Sequence, residues 1–312
     1  MIKTAFLFPG QGSQSVGMMS ALADEFSLVR DTFDEASKVL GYDLWSLTNE
    51  GPDDELNKTE VTQPAMLVAG ISTLRVWQHL GGFQPDFYAG HSLGEYTALV
   101  ASGVIDFKDA VAIVAKRGQL MQQVTPVGRG AMAAVHGLED KVVRDICSQV
   151  ESGEVVSCAN YNAPGQVVIS GDLEAVMLAG ELAKEAGAHR VLPLPVNVPL
   201  HCRLMMTAAA YLQDVLLHTH FSESSIPVIQ NADVRAYSDA EQVREALARQ
   251  LWQPVRWTET IADLMGSGVS RFVECGPGKM LTGFNQIISK ESAVFALTDS
   301  AAMKQAMQVE DE

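Results

Sequence analysis

Cysteine is scarce in this chain: Cys147, Cys158, Cys202 and Cys275 are the only four in 312 residues, with no C-x-x-C pair and no histidine at zinc-ligand spacing. That argues against a disulfide framework and a structural metal site, and fits a reducing, cytoplasmic setting with neither metal nor cofactor. Basic residues are also few, with 22 Lys and Arg against 38 Asp and Glu and a net charge of −16. Such a surface is a poor partner for duplex nucleic acid or an anionic membrane. Apolar runs of membrane-spanning length are missing; the run over residues 2–8 ends at Pro9 and reads as a buried strand, too short for a signal-peptide core. There is no internal repeat, and only the acidic end, residues 308–312, reads as frayed.

What is present is ordinary globular material, 47% hydrophobic and 19% charged, and enough of it for one large domain with an insertion or for two domains. Strand-length apolar runs alternate with helical patterns: a strand over 4–8, helices over 18–40 and 65–80, a strand over 86–89 and a helix reaching 101. This order implies parallel βαβ units. Asp106 reads as the N-cap of a helix whose apolar face carries Phe107, Val111, Val114, Gly118 and Met121. Between 128 and 196 the pattern changes to strand 131–136, helix 138–150, strands 155–160 and 166–170, helix 173–186 and strand 190–196, the ferredoxin-like order. Late strands at 226–230 and 271–274 return the chain to the first sheet. The expected architecture is therefore an α/β domain over 1–127 and 197–312, interrupted by a ferredoxin-like unit over 128–196. The cleft between them is the expected site.

Gly90-His91-Ser92-Leu93-Gly94 joins a strand to a helix, the nucleophile-elbow context in which glycines permit a sharp turn and the serine hydroxyl stands above the sheet. The competing reading is a plain helix start with Ser92 as its cap. A seryl nucleophile needs a base. Of seven histidines, His91 points away at a tight turn, and His79, His189, His218 and His220 sit in helical or polar settings. His136 ends a strand of the inserted unit, whereas His201 follows Val198-Pro199-Leu200 where the chain re-enters the large domain. It is a candidate base or a satisfied structural histidine. The turn Pro9-Gly10-Gln11-Gly12-Ser13-Gln14 fails the dinucleotide fingerprint because Ser15 stands where a glycine is required. It could instead aim backbone N–H groups at a developing oxyanion, or be a simple turn. Arg117 lies at the edge of a small, apolar helix face, either snorkelling to solvent or holding a carboxylate in its planar fork.

Taken together, Phe8-Pro9-Gly10-Gln11-Gly12-Ser13-Gln14, Thr62-Gln63-Pro64-Ala65, Gly90-His91-Ser92-Leu93-Gly94-Glu95-Tyr96, Lys116-Arg117-Gly118, Asn160-Tyr161-Asn162, Val198-Pro199-Leu200-His201 and Glu274-Cys275-Gly276-Pro277-Gly278 resemble the malonyl-CoA:acyl carrier protein transacylase family of bacterial type II fatty acid synthesis, over nearly the entire chain. The resemblance implies an α/β-hydrolase-like large domain with a ferredoxin-like insertion. It also implies a ping-pong route, in which Ser92, activated by His201, takes malonyl from malonyl-CoA, releases coenzyme A and passes the group to the pantetheine thiol of holo acyl carrier protein. By the same resemblance, the backbone N–H groups of Gln11 and Leu93 form the oxyanion hole and Arg117 holds the malonyl carboxylate. Gln63, Asn160 and Asn162 line the substrate site, and Gln250 orients His201 through its backbone carbonyl.

Leu200 departs from the Val-Pro-Ser-His often found in the family, and a bulky residue there is expected to crowd a branch at C2 and favour malonyl over methylmalonyl. An acidic carrier protein meeting an acidic enzyme calls for local arginines, and Arg190, Arg203, Arg249 and Arg256 are the candidates. A monomer is the default expectation. Three alternatives share the motifs: a free-standing acyltransferase of a polyketide or polyunsaturated fatty acid synthase, a serine esterase, and a non-catalytic carrier-binding scaffold.

Overall fold

The computed structural model describes residues 2–126, 128–150, 153–196 and 198–308. Val127 and Asn197, at the expected boundaries of the inserted unit, and residues 309–312 of the acidic end lie outside the described residues; Gln308 closes a helix, Ser300–Gln308.

In chain order the strands are β1 (Lys3–Phe8), β2 (Phe87–Gly90), β3 (Gly130–His136), β4 (Val156–Ala163), β5 (Gln166–Asp172), β6 (Arg190–Pro193), β7 (Val228–Gln230), β8 (Arg235–Ala236), β9 (Val269–Glu274) and β10 (Ala293–Ala296). They form a six-stranded sheet ordered β10-β9-β1-β2-β7-β8 and a four-stranded sheet ordered β4-β5-β3-β6. In the first, β1 runs parallel to β2 and β9, as do β10 to β9 and β7 to β2. Only β8 pairs antiparallel. The second sheet is antiparallel throughout.

β1 sits in the middle of the large sheet with helices on both faces, which is why its sequence is apolar without alternation. Phe6 and Phe8 enter the core formed with the helices Thr59–His79 and Phe107–Gln123, and Phe6 meets Trp77 edge-on at 5.5 Å between centroids. Ala5 and Leu7 face the other way, onto Trp257, Ile261 and Leu264 of the helix Trp257–Gly266. In the smaller sheet, Val135, Cys158, Val167 and Ile169 pack against the helices Asp140–Val150 and Leu173–Glu185 in a core of their own.

The chain order β3-helix-β4-β5-helix-β6 is the order read from the sequence. Two expected helices differ. The helix over 18–40 is two, Ser20–Glu25 and Ser27–Leu40, because Phe26 adopts an extended backbone and turns its ring edge-on to His79. The helix expected from 65 begins at Thr59, and Pro64 lies inside it. β8 and β10 were not anticipated; both are edge strands, β8 an exposed pair of residues with no apolar signature and β10 a run of four apolar residues, Ala293–Ala296, half-buried at the sheet edge.

The smaller sheet is bonded to the rest of the molecule through its edge. β4 loses its regular register with β5 around Asn160, and there Val255 N–H donates to the Ala159 carbonyl at 2.8 Å while Tyr161 N–H donates to the Val255 carbonyl at 2.9 Å. Thr258 adds a hydroxyl bond to the Tyr161 carbonyl at 3.1 Å.

Candidate active site

At the carboxyl ends of the parallel strands, where open α/β sheets leave a crevice, three turns meet. Ser92 follows β2, Gln11 follows β1 and Asn231 follows β7. The turn at Ser92 is very tight: a β-carbon on Gly90 would lie 1.9 Å from the Gly94 carbonyl carbon, and one on Gly94 would lie 2.0 Å from the Phe8 carbonyl oxygen. Glycine at both positions is therefore a steric requirement. Ser92 has φ of 52°, in the left-handed region that a non-glycine residue occupies only under constraint. The turn after β1 backs onto it, since a β-carbon on Gly10 would stand 2.4 Å from the His91 carbonyl and 3.7 Å from Leu93 N. The Gly10 and Leu93 backbones are thereby brought close, with Gln11 the next residue along the turn.

Ser92 Oγ lies 2.7 Å from His201 Nε2, and His201 Nδ1 lies 2.8 Å from the Gln250 carbonyl oxygen. A carbonyl can only accept, so Nδ1 carries the proton and Nε2 presents its lone pair to the seryl hydroxyl. Burial, and next the charge of Arg117, pushes His201 down to about 3, so the ring is neutral and able to take a proton. His201 itself sits at φ of 57° and donates its backbone N–H to the Leu251 carbonyl at 3.1 Å. The segment that supplies the orienting carbonyl thus also fixes the backbone of the base.

Arg117 is buried, with 1% of its surface exposed. Snorkelling is excluded. Nη1 donates to Gln63 Oε1 at 2.8 Å, and Nη2 donates to Gln250 Oε1 at 2.9 Å and to Ser92 Oγ at 3.3 Å. All three acceptors are neutral and Nε has no partner, so a cation stands beside the hydroxyl with donor capacity to spare. Burial lowers its pKa below the ordinary arginine value.

The sheets enclose a cavity of about 640 Å³ whose wall includes Gln11, His91, Asn160, Asn162, Leu194, Met280 and Phe284. Asn162 Oδ1 bonds His91 Nε2 at 2.8 Å, which turns the His91 ring away from the reacting hydroxyl, and burial holds His91 down to about 4. Asn160 Oδ1 is buried without a partner. Leu200 is buried beside the base. Ser92, 8% exposed, does not itself line this cavity, but its neighbour His91 does.

Two residues of the site escaped the sequence reading. Asn231 bonds both Ser92 N–H and the Gly90 carbonyl, and the fully buried Glu95 accepts from Asn231 and from Gln250. Burial pushes Glu95 up to about 7 against those bonds and against the charge of Arg117. A carboxylate in the first turn of the otherwise apolar helix Gly94–Ala101 was the one available sign of it. Of the four arginines considered for docking, Arg249 pairs with Asp233 and Arg256 with Glu259.

An acyl transferase domain family model matches residues 5–301. A malonyl CoA-acyl carrier protein transacylase of Escherichia coli (strain K12) is 50% identical over 309 residues, 99% of this chain and 100% of the relative. The crystal structure of an acyl carrier protein S-malonyltransferase from Vibrio cholerae superposes with a TM-score of 0.95 at 53% identity, covering 97% of this chain and 99% of that one. A malonyl-transacylase in complex with its type II PKS acyl-carrier protein superposes with a TM-score of 0.97 at 49% identity, covering 99% and 100%. By likeness over its whole length and by the serine, histidine and arginine brought within hydrogen-bond reach of one another, this chain belongs to the malonyl CoA-acyl carrier protein transacylase family.

Proposed function

We propose that the chain transfers malonyl from malonyl-CoA to the phosphopantetheine thiol of an acyl carrier protein through an ester on Ser92, supplying fatty acid chain elongation. The observation that carries this reading is Arg117, a buried guanidinium 3.3 Å from the seryl oxygen and bonded only to neutral groups. Its fork matches a carboxylate and so selects a dicarboxylic acyl group. A serine esterase acting on neutral esters has no use for it.

In the forward half-reaction Ser92 Oγ attacks the thioester carbonyl and its proton passes to His201 Nε2. The resulting oxyanion is received by the backbone N–H groups of Gln11 and Leu93. Collapse breaks the C–S bond, and the coenzyme A thiolate takes the proton from His201. In the second half the carrier thiol gives its proton to His201, attacks the ester and leaves with the malonyl group as Ser92 Oγ is reprotonated. Gln63 and Gln250 hold the fork of Arg117 in place, and Asn160 and Asn162 line the approach. Low exposure of Ser92 keeps water from competing with the thiol. Leu200, packed beside the base, narrows the space at C2; methylmalonyl-CoA is expected to load more slowly than malonyl-CoA, and equal rates would sink that steric argument.

The α/β-hydrolase-like assignment for 1–127 and 197–312, with a ferredoxin-like unit over 128–196, is supported by the central parallel strands ending at a seryl turn and by the antiparallel order β4-β5-β3-β6. A second reading concerns the carrier: the relative solved with a type II PKS acyl-carrier protein favours polyketide synthesis as an alternative destination for the same malonyl group. Intact-protein mass after brief incubation with malonyl-CoA tests the core claim. One malonyl adduct is expected, absent in Ser92→Ala and discharged on adding a phosphopantetheinylated carrier. An adduct lost to water without transfer would favour an esterase.

A further inference from the structure

Both peptide groups flanking Ser92 are held by side-chain amides from outside its own turn. The Ser92 N–H donates to Asn231 Oδ1 at 2.6 Å, and Asn231 Nδ2 donates to the Gly90 carbonyl at 2.6 Å. The Ser92 carbonyl accepts from Gln250 Nε2 at 2.9 Å. The two amides converge on one atom: Glu95 Oε2 accepts from Gln250 Nε2 at 2.9 Å and from the backbone N–H of Asn231 at 2.8 Å. Neither Asn231 nor Glu95 has a part in the proton transfers above.

In a trans peptide the C=O and the following N–H point in opposite directions. Fixing the Ser92 carbonyl on Gln250 therefore aims the Leu93 N–H away from Gln250, and fixing the Ser92 N–H on Asn231 sets the plane before it. With both planes fixed, Ser92 stays at its φ of 52°, a conformation that persists only where the surroundings over-determine it. We infer that Asn231 and Glu95 are positioning residues for acyl transfer: through the Gln250 side chain they hold Ser92 in the left-handed turn that presents Oγ to His201 and the Leu93 N–H to the oxyanion. The inference rests on Ser92 being the residue that is acylated.

Two other roles for the same bonds give different results. Glu95 could serve as the counter-charge of Arg117, in which case its loss affects malonyl and spares acetyl. The bonds could serve folding alone, in which case variants acylate a smaller fraction of molecules at the parental rate. The experiment is single-turnover acylation by rapid quench, with malonyl-CoA and with acetyl-CoA, on the parent, Asn231→Ala, Glu95→Ala and Glu95→Gln. Misplacing a reacting group by about 1 Å costs on the order of 100-fold. The rate constant is therefore expected to fall by about 10- to 100-fold in Asn231→Ala and Glu95→Ala, equally for both thioesters, with unchanged amplitude and KM within about twofold. Glu95→Gln keeps an oxygen facing Asn231 and Gln250, and is expected to recover most of the loss.

Rates within about threefold of the parent in both alanine variants would overturn the inference. So would a loss confined to malonyl, a loss of amplitude alone, or a Glu95→Gln variant as slow as Glu95→Ala. Should Glu95→Ala not fold, Asn231→Ala carries the test by itself, through an equal loss for both thioesters at unchanged amplitude. If the parent itself forms no adduct on Ser92, the functional reading fails rather than the positioning inference.

Discussion

Arg117→Ala is expected to lose malonyl loading while acetyl loading persists or rises, because only the partner of the distal carboxylate has been removed. Hydrogen bonds to charged groups contribute roughly 1.5–3 kcal/mol, so the malonyl rate should fall by about 10- to 100-fold in a thioester loading assay. Equal loss of both acyl groups would point to a folding role. His201 gives a pH prediction. A base works in its neutral form, and a group whose folded pKa is depressed stays neutral well below its ordinary titration near 6.5. With His201 held down to about 3, loading of folded enzyme should show no loss assignable to this ring as pH is lowered from about 8 to about 5. A fall centred near 6.5 that His201 alone explains would refute the assignment. Ser92 was legible because its signal is local, a glycine on each side of a strand-to-helix turn. Asn231 and Glu95 were not, since their bonds join residues 136 to 155 positions apart, and nothing beside either residue announces its partner.

The element that sets Arg117 is the helix Phe107–Gln123, and its distance from Thr59–His79 depends on one residue. A β-carbon on Gly118 would stand 2.6 Å from Glu60 Cα and 2.8 Å from the Thr59 carbonyl oxygen, both backbone atoms that cannot swing aside. Gly118→Ala should therefore push the helices apart, cost about 1–3 kcal/mol by overpacking and draw Arg117 away from Gln63. Thermal unfolding and the KM for malonyl-CoA should both register it. An unchanged melting temperature would mean that the helices are not held this closely. Helix existence was readable from periodicity, but ends were not. The helix expected over 65–80 starts after Pro64, yet Thr59–His79 carries Pro64 inside, where it has no N–H to offer Glu60. Phe26 fits the apolar period of a single long helix. Its ring finds a better home against His79, and the backbone breaks to allow it.

At the scale of the molecule, the bonds from Val255 and Thr258 to β4 join the two sheets independently of the chain crossings near 128 and 197. All four tryptophans, Trp45, Trp77, Trp252 and Trp257, lie outside 128–196; Trp45 and Trp77, buried in the core of the large sheet, report on that sheet, Trp257 stands beside the tether, and far-ultraviolet dichroism reports on both sheets. If these bonds couple the sheets, the two signals should change together through a single thermal transition. A dichroism step that precedes the fluorescence step would show that the smaller sheet melts by itself. The alternation of strand and helix that separates the two sheets was legible because each has its own apolar period. The tether was not, because a backbone bridge at an irregular sheet edge leaves no mark on side-chain pattern.

The orienting carbonyl of the base belongs to Gln250, far beyond the serine, the arginine and the histidine that it serves. During synthesis, a chain extended only through His201 already carries a nucleophile, a cation and an imidazole. It still lacks the acceptor that fixes the imidazole tautomer and the amide that holds the seryl carbonyl. A chain truncated before Gln250 is thus expected to load malonyl far more slowly than the full one, even where its serine, arginine and histidine are all present.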